Sequence, residues 1–164
     1  MSKNMSRHGP EAHVRRPRLP HSAARGHDVG MDSRLNDLPL DHVAVAVRSF
    51  TDTLPVLERL TGARASAPER VPAQGVEVCF VGRVELIRPL DGNNGVARFI
   101  DRRGPGLHHV AYRVEDVGAA MTALESEGYE FTSARPMTGA GGHRIAFVHP
   151  RSTGGLLVEL VERG

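Results

Sequence analysis

Four side chains in this 164-residue chain have types and positions suited to holding a divalent cation: His42, Glu85, His109 and Glu159. Each sits inside a strongly apolar run: LDHVAVAV (40–47), VELIR (84–88), LHHVAYRV (107–114) and VELVE (158–162). An ionised glutamate in such surroundings costs several kcal/mol unless it is paired or coordinated. Two carboxylates and two imidazoles neutralise one another's cost at a shared cation, and this donor mixture suits Mn²⁺, Co²⁺, Ni²⁺, Zn²⁺ or Fe²⁺.

The four residues come as a repeat. The histidines are 67 residues apart and the glutamates 74, with matching neighbours. His42, Val43, Ala44 and Val47 correspond to His109, Val110, Ala111 and Val114; Val84, Glu85 and Leu86 correspond to Val158, Glu159 and Leu160. Twice the chain reads strand, helix, then several strands, which is an internal duplication. Each copy places its histidine on the first strand and its glutamate on the last.

The elements that must position these groups follow from periodicity and punctuation. The first strand spans 40–47, with Val43, Val45 and Val47 on one face and His42, Ala44 and Ala46 on the other. A helix follows, with Asp52 as its N-cap, Pro55 in its first turn, Leu54, Leu57 and Leu60 as its apolar stripe and Gly62 as its stop. Strands at 76–81 and 83–88 are joined at Gly82-Arg83 by a connection tight enough for a hairpin. A short helix over 96–104 closes the first copy. The second copy has a strand at 107–114, a helix at 116–127 stopped by Gly128, and strands near 129–133, 144–149 and 155–162. Alternation sends His108 to the face opposite His109. His149 reads as a turn residue, while His143 lies in a glycine-rich loop where it can meet a ligand.

Composition narrows the field. Residues 1–37 carry seven Lys or Arg against four acids, whereas 38–164 carry 14 Arg against 15 acids. The basic balance thus belongs to the first segment, which has three prolines, scattered histidines and no apolar period. It reads as a disordered or non-native tail preceding one domain at 38–164 (modules about 38–104 and 105–164), with Met31 as an alternative start. The domain has no basic surface for a phosphate backbone, and with no Trp and 4% aromatics it offers no stacking platform, so no nucleic-acid partner is expected. No run approaches the roughly 18 apolar residues of a membrane span. The single cysteine, Cys79, reads as a small buried hydrophobe and points to a reducing compartment, the cytoplasm.

The His…Glu, His…Glu repeat resembles the vicinal oxygen chelate (glyoxalase-like) superfamily. Within it, LDHVAVAV (40–47), QGVEVCFV (74–81), GPGLHHVAYRVEDV (104–117) and GAGGHRIAFVHPRSTGGLLVELVE (139–162) resemble the methylmalonyl-CoA epimerase family. The resemblance covers about 39–162. It implies an α+β fold of two βαβββ modules whose curved mixed sheet surrounds a metal cleft, a metal held by His42, Glu85, His109 and Glu159, and a homodimer. Co²⁺ is the ion it implies first, with Mn²⁺, Ni²⁺, Zn²⁺ or Mg²⁺ as alternatives. The family often has Gln where this chain has Glu85, and a longer connection after Phe80; the extra carboxylate makes the site more anionic.

The implied chemistry is removal of the C2 proton of a malonyl-type coenzyme A thioester and its return to the opposite face. Lewis-acid stabilisation of the enolate lowers the barrier, and two bases serve the two faces most simply. Glu159 is one candidate base; Glu85 and Glu77 are candidates for the other. Gly141, Gly142 and Arg144 are candidate substrate-binding residues, the glycines by close backbone approach and Arg144 by charge. The alternatives on this scaffold are a lactoylglutathione lyase, another enzyme of the superfamily, or a binding protein without catalysis. A ring-cleaving dioxygenase keeps two His and one carboxylate on Fe²⁺, and Glu85 as a fourth ligand argues against it.

Overall fold

The computed structural model describes residues 35–164. In chain order the elements are β1 (Leu40–Ala46), α1 (Leu54–Thr61), β2 (Glu69–Val71), β3 (Val76–Val81), β4 (Val84–Pro89), α2 (Gly95–Arg103), β5 (Gly106–Val114), α3 (Val117–Ser126), β6 (Met137–Thr138), β7 (Arg144–Val148) and β8 (Leu157–Glu162). The eight strands form one mixed sheet in the order β2-β3-β4-β1-β5-β8-β7-β6. The second half of that order repeats the first about the β1–β5 seam. β1 runs parallel to β4 and β5 parallel to β8, while β1 and β5 are antiparallel. The duplication read from the sequence is therefore two βαβββ modules joined edge to edge, with α2 as the link.

Most expected elements appear within a residue or two of their predicted bounds. The differences have local causes. Two short strands, β2 and β6, carry no alternation long enough to read. The expected strand at 129–133 is reduced to a single bridge from Phe131 to Val148. Asp52 does not cap α1: Thr53 holds the N-cap position without a side-chain bond, and Pro55 stands in the first turn. Leu54 and Leu57 pack against Val47, Cys79 and Leu86, but Leu60 of the expected stripe is 76% exposed, because a three-residue spacing drifts off the buried face of a helix with about 3.6 residues per turn. The other two helices are capped as helix physics asks. Asn94 accepts from the Ala97 amide, and Asp116 accepts from the Gly118 and Ala119 amides.

Of the expected tail, residues 1–34 lie outside the described residues. Leu35 belongs to the folded part: with Leu38 it packs against the cluster of Val114, Val117, Ala120, Met121 and Leu160 under α3. A different cluster in module one gathers Ala44, Ala46, Val76, Val78, Ile87, Val96 and Ile100, so α2 is pinned over one end of the concave face. Cys79 is buried on the convex side, where its thiol donates to the Ser66 carbonyl at 3.2 Å. No helix among the described residues is long and apolar enough to cross a membrane.

Candidate metal centre

Register at the seam brings the four expected ligands together. Ala44 of β1 pairs with His109 on one side and Glu85 on the other. Ala111 of β5 pairs with His42 and with Glu159 in the same way. Both alanines are fully buried, so two methyl groups form the floor from which the longer side chains rise. The β3–β4 hairpin is as tight as the sequence suggests. Gly82 takes φ +60°, and the register Phe80–Glu85 aims Glu85 at the concave face.

His42 Nε2 lies 3.2 Å from Glu159 Oε2 and 3.5 Å from Glu85 Oε2. His109 Nε2 lies 3.0 and 3.5 Å from the same two oxygens. All four residues are at most 5% exposed. His42 Nε2, His109 Nε2 and Glu159 Oε2 have no hydrogen-bond partner of adequate geometry, although they are sealed from solvent. Ligand atoms of His42, His109 and Glu159 all lie within 4.8 Å of one another. Buried polar atoms are almost always satisfied. Three that converge on one point, from two imidazoles and a carboxylate, fit the donor set of a divalent cation, with Glu85 as the fourth group.

Each histidine is held from behind, and the two modules do it differently. His42 Nδ1 donates to Asp41 Oδ1 at 2.8 Å, which leaves its Nε2 lone pair for the cleft. Asp41 is itself buried; Arg163 reaches both its oxygens at 2.6 and 2.7 Å, and Arg113 one of them at 3.1 Å. Burial opposes the charge on Asp41, but Arg163, His42 and Arg113 overcome it and hold the carboxyl far below its usual range. In the other module His109 Nδ1 meets His108 Nδ1 at 2.9 Å. Burial and the neighbouring His109 push His108 down to about 4, so it is neutral, and in the tautomer where its Nδ1 accepts from His109 Nδ1 the His109 Nε2 lone pair is left for the cleft. Alternation sets His108 on the face opposite His109, yet it stands beside that ligand as its hydrogen-bond partner. Phe80 and Phe147 complete the symmetry, each edge-on to one histidine at 5.5 and 5.4 Å between ring centres.

The site opens into a cleft of about 420 Å³. Of the expected substrate-binding residues, Gly141 lines it and Gly142 does not. Arg144 is turned away, paired with Glu162 at 2.8 Å. Glu77 is not brought to the cleft either. It shares the convex side with Cys79 and is held by Arg88 at 2.5 Å and Arg70 at 3.7 Å. In its place the cleft gains Glu69 of β2, whose Oε1 accepts the Gly141 amide at 2.8 Å across the modules. No periodic signal marks Glu69, because β2 is three residues long. Gln74 makes a second cross-module bond nearby, donating to the Thr138 carbonyl. His143 and Arg163 also line this cleft.

A seam-joined pair of βαβββ modules around a His/Glu cluster defines a class. The chain belongs to the Glyoxalase/Bleomycin resistance protein/Dioxygenase superfamily, whose family model matches residues 41–147. It is 35% identical over 127 residues to the ethylmalonyl-CoA/methylmalonyl-CoA epimerase of Cereibacter sphaeroides, covering 74% of this chain and 95% of that one. The crystal structure of methylmalonyl-CoA epimerase from Mycobacterium tuberculosis superposes with a TM-score of 0.72 at 32% identity, over 76% of this chain and 87% of that one. A methylmalonyl-CoA epimerase in complex with methylmalonyl-CoA and NH4+ gives the same TM-score at 26% identity, over 77% and 95%. Within the superfamily the chain belongs with the methylmalonyl-CoA epimerases, which are isomerases.

Proposed function

We propose that the chain interconverts the two C2 epimers of methylmalonyl-CoA by moving the C2 proton through an enolate. The observation that carries this reading is the convergence of three unpartnered buried donor atoms in a cleft that also holds a carboxylate on its far wall. A divalent cation held by His42, Glu85, His109 and Glu159 would supply Lewis-acid stabilisation of the charge that develops on the thioester oxygen.

The chain's own residues move the proton. Burial disfavours charge on Glu159, but His109 and His42 more than offset it and hold the carboxyl below its ordinary value, so Glu159 is ionised and competent to accept. Glu69 stands on the first module's edge strand, one of its oxygens oriented by the Gly141 amide. We assign Glu159 and Glu69 as the two proton carriers. One removes the proton from one face of C2, and the other delivers a proton to the opposite face of the planar enolate. Glu85 stays with the ligand set. Phe80, Phe147, Val78 and Val161 line the same cleft and limit water access, which strengthens each electrostatic contact inside.

Two imidazoles with two carboxylates support Co²⁺ as the ion, ahead of Mg²⁺, which prefers oxygen donors. The family resemblance supports a homodimer, and the buried thiol of the lone cysteine supports a cytoplasmic setting. The test is proton NMR of methylmalonyl-CoA in D₂O with Co²⁺ and again with a chelator. Loss of the C2 proton signal with metal only is the expected result. No exchange by protein shown to carry metal overturns the substrate assignment, and a glutathione hemithioacetal then tests the lyase reading.

A further inference from the structure

The metal cleft does not end at its own walls. His109, Gln74 and Phe147 line both the cleft and a smaller cavity of about 160 Å³. That cavity in turn shares Gly95, His108 and Leu157 with an open hollow of about 490 Å³ beside α2. The three spaces lie in a row with shared walls, and the chemistry changes along it. At the metal end it carries three carboxylates, Glu69, Glu85 and Glu159. The narrow middle is mostly apolar, with Val76, Ile87, Val96 and Leu157 in its walls. At the far end the hollow is lined by Arg98, Arg102 and Arg103 and by no acid.

α2 builds that far end. Val96, Ala97 and Ile100 are buried against the sheet, which fixes the helix face that remains outside. Arg98 and Arg102 are four residues apart and so share one side, about one and two turns along from Gly95. Arg98 spends one donor on the Asn93 carbonyl, and Arg103 lies 6.0 Å from the centre of the Phe99 ring. None of the three has a carboxylate partner among the described residues, unlike Arg70, Arg88, Arg113, Arg144 and Arg163. Arg102 and Arg103 also suit the last turn of a helix, where cations offset the macrodipole. That role does not require three guanidinium groups to face one hollow, nor a row of adjoining cavities from it to the metal centre.

We infer that the hollow beside α2 binds the phosphate groups of a coenzyme A nucleotide through Arg98, Arg102 and Arg103. The thin pantetheine arm follows the apolar middle and the acyl group reaches the metal cleft. The inference rests on the reading of the substrate as a coenzyme A thioester. A guanidinium matches phosphate geometry with paired donors, and such charge-assisted bonds are the strong ones.

Calorimetry of coenzyme A and of 3′,5′-ADP, with the wild-type protein and the Arg98→Gln/Arg102→Gln/Arg103→Gln variant, tests the site without turnover. Both ligands should bind the variant at least about thirtyfold more weakly, and inorganic phosphate at the same concentration should not displace coenzyme A. Undiminished binding by the variant, or equal displacement by inorganic phosphate, overturns the site. In parallel, the C2 exchange rate is compared for the coenzyme A thioester and the matching pantetheine thioester; the advantage of the former should vanish in the variant. Arginine-dependent binding without any C2 exchange upholds the site and removes the reaction. Exchange that keeps its full coenzyme A advantage in the variant upholds the reaction and removes the site.

Discussion

Asp41 accepts the Nδ1–H of His42 at 2.8 Å while Arg163, 122 residues further along, grips the same carboxylate through both its oxygens. The C-terminal end of β8 is thereby tied to a metal ligand at the start of β1. A carboxylate behind a ligating imidazole fixes its tautomer and raises its basicity. Asp41→Asn keeps the shape but removes the charge. It should weaken metal retention about 10- to 100-fold, read by titration against a competing chelator. Unchanged affinity would mean that Asp41 serves only the packing of the two arginines.

His109 is the most deeply buried of the four expected ligands, at 2% exposed, and like His42 it faces both carboxylates. His109→Ala should empty the site of metal and abolish C2 exchange together. Metal content by mass spectrometry and exchange by NMR on one preparation decide this, and an active, metal-replete variant would remove His109 from the ligand set.

The cation-free site carries a proton that metal must displace. Burial opposes charge on His42, but Glu159, Glu85 and Asp41 raise its imidazole from 6.5 to about 10. The stability gained from that proton is complete below pH 6.5 and is lost as pH climbs to about 10. Metal needs the neutral ring, so metal affinity should rise over the same interval, by about tenfold per pH unit. Calorimetry at about pH 8 in buffers of different ionisation heat should register about one proton released per cation. Release of none would show that His42 is neutral before metal arrives.

Glu69→Gln keeps an oxygen for the Gly141 amide and removes the base. Epimerisation should fall about 10²- to 10⁴-fold, while solvent exchange at C2 should persist from one epimer, the one whose proton Glu159 faces. Loss of exchange from both epimers equally would assign Glu69 to substrate positioning.

The parts of this protein legible in the sequence are those with a period. His42 and His109 announce themselves because a polar residue interrupts an alternating apolar strand, and Glu85 and Glu159 because the interruption recurs in repeat order. Local rules also suffice for the Gly82 hairpin, where one residue's conformational freedom decides the outcome, but not for the α1 cap, which falls at Thr53 and not at Asp52. Tertiary structure decided what those rules do not reach. Whether Glu77 or Glu69 enters the cleft depends on the curl of the sheet, which turns β2 toward the Ala140–Gly142 loop of the other module and leaves Glu77 with Arg88 on the convex side. Arg163, not Arg144, lines the cleft because the register of β7 on β8 sets Arg144 against Glu162. Convergence at the seam belongs to the same class: only the pairing of Ala44 and Ala111 with both a histidine and a glutamate brings residues more than forty positions apart to within 3.5 Å. Strand alternation is a property of neighbours in the chain, whereas a metal site is a property of neighbours in space.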